Sequence, residues 1–250
     1  MSQVARINLE KLKVSCENCN LRELCFPHGM SNEDMKQLDA VVKQRNPLHK
    51  NEVLYRDGDR AKAIYAVRSG SVKTVAESIN GDEQIVGFHL PGEIVGLDGF
   101  GDGVHSCTAM ALETTSVCVL PLSQLEDLCH AMPGLQKQMR RVMGREVSAE
   151  HKTLLMLGKM TAEERLASFL LSLSRRMEER HWKATEFVLS MPRQDIANYL
   201  GLAVETVSRL FAHFQEQGII AVDRRRISIL DMAALKALVG ECESARASGA

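Results

Sequence analysis

No run of eighteen apolar residues occurs in the 250-residue chain. The first fifteen residues, MSQVARINLEKLKVS, alternate charged and apolar positions and lack the unbroken apolar core of a signal peptide. Neither secretion nor membrane insertion is expected, which points to the cytoplasm. Charge of one sign is not in excess either. With 31 Lys+Arg against 32 Asp+Glu, composition announces no polyelectrolyte partner, so any nucleic-acid contact has to be local. There is no internal repeat and no low-complexity tract. Cysteine is sparse, seven in all, and the odd number argues against a disulfide framework. In a reducing compartment grouped cysteines more often bind metal or carry out redox work. What remains is ordinary globular composition, 45% hydrophobic and 25% charged, in a chain long enough for two domains.

Three of the seven cysteines fall within ten residues, CENCNLRELC, at Cys16, Cys19 and Cys25. Thiolates are soft ligands that suit zinc and iron–sulfur clusters. With His28 they form Cys-x2-Cys-x5-Cys-x2-His, a local four-ligand zinc set. The alternative is a cluster whose fourth ligand comes from elsewhere in the chain. A redox dithiol is disfavoured, because no group that would activate a nucleophile stands nearby. Cys107, Cys129 and Cys242 are single thiols in apolar or tail contexts, where a structural or incidental role is usual.

Ser31 can cap a short helix over 31–44, with Met35, Leu38, Val41 and Val42 at helical spacing. From Pro47 to about Pro121 short β-type runs are cut by glycines at close intervals, as in a compact antiparallel roll or barrel. From Ser123 to about Gly158 the helical period returns and predicts one long helix. Met143, Val147, Glu150, Leu154 and Leu157 follow a 4,3,4,3 spacing on it, a seam fit for a dimer or for packing on the chain's own roll. A second unit starts at Thr161, where Glu164 completes a capping box. VDRRRISIL predicts a short hairpin with a basic tip, Arg224 to Arg226, that can touch phosphates.

The most specific signal lies in RQDIANYLGLAVETVSRLF. Counted from Arg193, a helix-turn-helix wants a small residue at position five, glycine at nine and a β-branched residue at fifteen. The chain has Ala197, Gly201 and Val207 there, with Ile196, Leu200, Leu202 and Leu210 as apolar core positions. Glu205, Ser208 and Arg209 then project from the start of the second helix. An arginine can pair with guanine, a carboxylate can accept from cytosine, and serine can reach base or phosphate. From Lys159 to Arg226 there are 11 Lys+Arg and 9 Asp+Glu, a net of +2. One such unit reads few base pairs, so paired half-sites, one per subunit, follow if the seam makes a dimer.

A glycine-punctuated roll, a long helix and a winged helix-turn-helix, in that order, resemble the CRP/FNR superfamily of bacterial transcription regulators over nearly the whole chain. The fold class this implies is α+β: an N-terminal antiparallel β-roll of the cupin-like, cyclic-nucleotide-binding type, a dimerisation helix and a C-terminal winged helix-turn-helix. The corresponding segments are 1–28 for the cysteine-rich ligands, 29–130 for the roll, 131–158 for the helix, 159–239 for the DNA-binding domain and 240–250 for a disordered tail. Cyclic-nucleotide-binding members carry a glutamate after a glycine in the phosphate loop, then an Arg-Ser or Arg-Thr pair. Here Leu97 and Asp98 follow Gly96, and His105-Ser106 stands where Arg-Ser would be, so no cyclic nucleotide is expected.

Cys-x2-Cys-x5-Cys is similar to the oxygen-sensing FNR/ANR branch, the fumarate and nitrate reduction regulators. ETTSVCVLP matches that branch's Glu-Thr-x-x-Val-Cys-x-x-Pro, and GDEQIVGFHL, AVRSG, AEERLASF and NYLGLAVETVSRL are further shared stretches. The resemblance implies a 4Fe-4S cluster on Cys16, Cys19, Cys25 and Cys118, converted to a 2Fe-2S form by oxygen, with Asn20 and Leu24 in its environment. It implies a homodimer through Met143, Val147, Glu150, Leu154 and Leu157. Arg193, Val204, Glu205, Ser208 and Arg209 would bind a double-stranded inverted repeat similar to TTGAT-N4-ATCAA, and the turn at Gly81-Asp82 would touch RNA polymerase. No enzymatic activity and no membrane partner are implied. A regulator of the same fold answering another effector, or a zinc-stabilised DNA-binding protein, are the alternative expectations.

Overall fold

A computed structural model describes residues 15–240 of the chain. The cysteine-rich segment 15–30 is a succession of turns, with one turn of 3-10 helix at Cys16–Asn18. Helix α1 (Asn32–Val41) follows, and the Ser31 hydroxyl accepts from the Asp34 amide as its cap. Met35 and Leu38, two residues of the apolar stripe, are its buried positions.

Eight short strands then build the roll: β1 (Lys43–Gln44), β2 (Val53–Tyr55), β3 (Ala63–Ser69), β4 (Val72–Glu77), β5 (Glu83–His89), β6 (Ile94–Val95), β7 (Thr108–Ala111) and β8 (Ser116–Pro121). They form two antiparallel four-stranded sheets in the orders β1-β8-β3-β6 and β2-β7-β4-β5. Val67, Val72, Val95, Ala109, Ala111 and Val117 fill the space between the sheets. β5 is an edge strand, and the turn from Ser78 to Asp82 joins it to β4.

The sequence predicts one helix across 123–158, but two are present. Helix α2 (Leu122–Ala131) stops before Met132, and α3 (Pro133–Lys159) starts with proline in its first turn. Proline has no N–H to donate, so it ends the first hydrogen-bond ladder and is tolerated at the opening of the second. Met132 and Leu135 are fully buried, with Phe26, Leu38, Ile64 and Leu120, in a core beneath the cysteine segment.

Helix α4 (Ala162–Glu179) has the predicted capping box: the Glu164 amide donates to Thr161 Oγ1 and the Thr161 amide donates to Glu164 Oε2. Then come β9 (Glu186–Val188), α5 (Arg193–Leu200), α6 (Val204–Glu216), β10 (Ile220–Asp223), β11 (Arg226–Ile229) and α7 (Met232–Leu238). The wing is therefore a three-stranded sheet, β10-β11-β9, not a lone hairpin. Leu166, Leu170, Leu173, Ile196, Leu200, Val207 and Phe214 share one core, so α4, α5 and α6 pack as a unit. No helix among the described residues is long and apolar enough to cross a membrane. The expected disordered tail lies, but for Gly240, outside the described residues, as does Cys242.

Candidate functional site

In the turns of the cysteine segment, the Cys19 amide donates to the Cys16 carbonyl at 3.3 Å and the Cys25 amide to the Leu21 carbonyl at 3.0 Å. Two longer-range bonds tie the segment down. Asp39 on α1 accepts from the Cys16 amide at 2.9 Å, and the buried Gln138 on α3 donates to the Cys25 carbonyl at 3.0 Å. Cys118 comes from the rigid side: it sits on β8, paired with Gln44 on β1 and Ala66 on β3. Cys25 and Cys118 pack against the same core as Phe26 and Leu38.

All four thiols share one electrostatic neighbourhood. Burial pushes Cys16 up to about 12, helped by Asp39, Cys118 and Cys19. Burial also raises Cys25, and Cys118, Cys16 and Cys19 add to it. Cys118 is raised by burial, opposed by Arg68. Thiols raised in this way, Cys16, Cys25 and Cys118, hold their protons until a metal displaces them. Among the described residues no three His, Cys, Asp or Glu side chains are set to hold a metal ion without adjustment. The donor set fits an iron–sulfur cube in number and softness, four thiols with three on a turn-rich loop that can close on the fourth. Asn20 is exposed at the loop surface, while Leu24 is half-buried. His28, the local zinc candidate, has a buried Nδ1 without a hydrogen-bond partner; Glu23 Oε2 lies 3.3 Å away but out of line.

Cys107 does not join this group. It lies inside the roll with Tyr55, Asp98 and His105: Asp98 accepts from the Ser106 amide at 2.9 Å, its other oxygen is 3.2 Å from His105 Nδ1, and Tyr55 stacks on the His105 ring at 3.6 Å. Burial and Asp98 push the Cys107 thiol up to about 12. A carboxylate thus stands beside the position where the resemblance places an anion clamp.

At the other end, Gly201 adopts the left-handed conformation (φ 62°) that the turn between α5 and α6 requires, and Ala197 and Val207 are buried beneath it. Val204, Glu205, Ser208 and Arg209 are exposed on the first turns of α6, with the Ser208 hydroxyl donating to the Val204 carbonyl. Arg193 is elsewhere: its guanidinium lies 3.5 Å over the Phe211 ring, half-buried, which lowers its affinity for a proton. In the wing, Arg225 donates to the Leu189 carbonyl and Arg226 pairs with Glu186, while Arg224 stands exposed at the turn.

The seam on α3 is open over most of its length. Met143, Val147, Glu150 and Leu154 are exposed, as is the neighbouring Leu155; Leu154 is 69% exposed. Leu157 instead is half-buried against the C-terminal core, close to Gly201. Gly81 and Asp82 lie in the exposed β4–β5 turn, closed by the Gly81 amide on the Ser78 carbonyl at 2.9 Å.

Sequence reasoning missed the contacts that hold α4 and α5 on the roll. Lys73 Nζ reaches both Asp195 carboxylate oxygens at 3.0 Å. Asn198 behaves like a strand residue beside β5, accepting from the Ile85 amide and donating to the Glu83 carbonyl. Arg176 on α4 and Arg180, which caps its C-terminus, converge on Glu93. Pairs more than 80 residues apart leave no local periodicity to read.

Comparison with known proteins agrees with this architecture. Residues 45–132 match the cyclic nucleotide-binding domain family and residues 164–238 the Crp-like helix-turn-helix domain family. The chain is 49% identical over 225 residues to the transcriptional activator protein Anr of Pseudomonas protegens, covering 90% of this chain and 92% of that protein. It is 43% identical over 237 residues to the fumarate and nitrate reduction regulatory protein of Escherichia coli, covering 95% of each. Among solved structures, FixK2 from Bradyrhizobium japonicum superposes with a TM-score of 0.73 at 32% identity, covering 79% of this chain and 97% of that one.

Proposed function

Since the chain belongs to the CRP/FNR superfamily of transcription regulators, in its FNR/Anr branch, we propose that it is a cytoplasmic, oxygen-responsive regulator of anaerobic metabolism that binds DNA as a homodimer. The observation that carries this reading is the gathering of Cys16, Cys19, Cys25 and Cys118 into one neighbourhood, three on a loop and one on β8. These four residues would hold a 4Fe-4S cluster, which when bound would supply reactivity toward oxygen. Zinc on Cys16, Cys19, Cys25 and His28 is the second reading, favoured by the orphaned His28 Nδ1. Asp98 inside the roll disfavours an anionic nucleotide there.

The other residues then have definite tasks. Glu205, Ser208 and Arg209 present a carboxylate, a hydroxyl and a guanidinium to base edges of an inverted repeat, with Val204 beside them, while Arg193 steadies α5 on Phe211 near the phosphates. Met143, Val147 and Leu154 bury their exposed apolar faces against the same helix of a second subunit, with Leu157 at the end of the seam. Glu150 opposes this: its copy in the partner meets it across the two-fold axis, and like charges in a partly desolvated seam repel. Shifting such a dimer from mostly absent to mostly present takes roughly 5 kcal/mol of differential stabilisation. Glu150→Ala should therefore give a dimer that persists in air; sedimentation showing only monomer would refute this. The Gly81-Asp82 turn offers RNA polymerase an exposed contact.

The reading is tested by purifying the protein without oxygen and recording visible absorption, iron and sulfide before and after air. A brown protein with about four irons per chain that bleaches in air and then releases the repeat in a gel shift supports it. A colourless protein holding zinc, with Cys118 dispensable, overturns it in favour of the second reading.

A further inference from the structure

The loop between β5 and β6 joins two parts of the molecule that the function keeps apart. Leu24, one residue before Cys25, is seated on Gly92: a Cβ at Gly92 (φ 90°) would come within 2.9 Å of Leu24 Cβ. The next residue, Glu93, points the other way, into α4. Arg176 Nε donates to Glu93 Oε1 at 2.8 Å and Arg180 Nη2 to the same oxygen at 2.6 Å. The Leu90 amide donates to Oε2 at 2.9 Å. The arginines also hold the loop backbone, Arg176 on the Phe88 carbonyl and Arg180 on the Pro91 carbonyl at 2.8 Å. The Arg180 side chain is 1% exposed. A buried charge so fully paired is costly to break and specific in geometry. Beside this latch runs an open cleft lined by Leu24, Gly92, Glu93, Arg176 and residues of α3.

We propose that Glu93 is a positioning residue that couples the cysteine loop to the DNA-binding domain within a single subunit. The inference rests on the cluster reading and adds a route that bypasses the dimer seam. When Cys25 changes position, Leu24 shifts on Gly92, the Glu93 loop follows, and α4 is carried with it through Arg176 and Arg180. Because α4 shares its core with α5 and α6, the recognition helix is displaced relative to the roll. A packed unit moves as a body in such a case, not by gradual deformation.

The test removes the seam from the comparison. Glu150→Ala protein, verified as a dimer by sedimentation both with the cluster and after its removal by chelation, is compared with the Glu150→Ala/Glu93→Gln double variant. If Glu150→Ala dissociates, two full copies fused in tandem take its place. Iron content and visible absorption are read first; a chain that takes up no iron refutes the cluster reading itself. DNA affinity is then measured with and without the cluster. With Glu93 present, the cluster should raise affinity about tenfold although the dimer is constant. With Glu93→Gln, iron and absorption stay unchanged and the ratio falls to about one, and Glu93→Asp partly restores it. A merely structural Glu93 would lower the melting temperature and leave the ratio intact, which overturns the proposal. A ratio near one with Glu93 in place overturns it too, because the seam then carries the whole signal.

Discussion

Between Ser15 and Met30 only Phe26 and Pro27 are buried, whereas in the helix-turn-helix Ile196, Leu200, Val207 and Phe214 are fully buried and Ala197 nearly so. The two ends of the chain solve their folding problem differently. The DNA-reading end closes on side chains alone, so its geometry is complete without a ligand. The cysteine end has too little apolar surface to close on itself; it leans on Asp39 and Gln138 for two hydrogen bonds, with its thiols in one neighbourhood. A segment this loosely packed can respond to a small chemical change, and a core as tight as that of α5 and α6 can only be moved whole.

The comparison breaks first at Cys118. Changing this residue to serine should take iron from about four per chain to near zero, while far-ultraviolet circular dichroism and the melting of the C-terminal domain stay as they were. His28→Ala should retain the iron. If instead Cys118→Ser keeps its metal and His28→Ala loses it, the loop is a zinc site.

The converse experiment acts at the other end. Phe214→Ala opens a cavity in a core where that ring is fully buried and should cost about 3–5 kcal/mol. Calorimetry should show the C-terminal transition falling while anaerobic iron content is unchanged. Loss of iron in that variant would mean that the two ends fold as one cooperative unit.

How much of this was legible in the residues follows the same division. Ala197, Gly201 and Val207 announce the helix-turn-helix because close helix approach and a left-handed turn each demand one residue type at one spacing, and they take the places that spacing requires. The capping box at Thr161 is equally local. Strand β9 was invisible: three residues show no alternation, and they join the wing only by pairing with β11. The stacking of Arg193 on Phe211, eighteen positions later, spans a distance that no periodicity reports. Cys118 is the clearest case. Spacing alone leaves His28 and a distant residue both open as a fourth ligand; family resemblance points to the one 93 positions after Cys25, which the roll brings close to it.

A smaller effect separates reading from folding within the C-terminal domain. Arg209 is exposed and outside its core, so Arg209→Ala should leave melting and iron content alone. It should cost roughly 1–3 kcal/mol of discrimination between the cognate repeat and a site with the guanine replaced. Competition gel shifts measure this, and an unchanged preference would remove Arg209 from the reading surface.

The mildest change is in pH, and it acts where the two ends meet. Burial lowers His89 from its ordinary 6.5 to about 4; its Nε2 shares a hydrogen bond with Thr74 Oγ1 at 3.2 Å. Glu93, half-buried, is held down from 4.5 to about 2 by Arg176 and Arg180 against the cost of its desolvation. For the histidine, the unfolded chain takes up a proton that the folded chain refuses, so stability is full above pH 6.5 and declines as pH falls toward 4. For the glutamate, the charged form is favoured by folding, so its contribution is full above pH 4.5 and is lost as pH falls toward 2. Melting of the metal-free Cys118→Ser chain should therefore decline on acidification in two successive windows. His89→Gln should flatten the upper window and leave the lower one, and Glu93→Gln the reverse. If both variants keep the parental profile, the junction between roll and DNA-binding domain is not where acid acts.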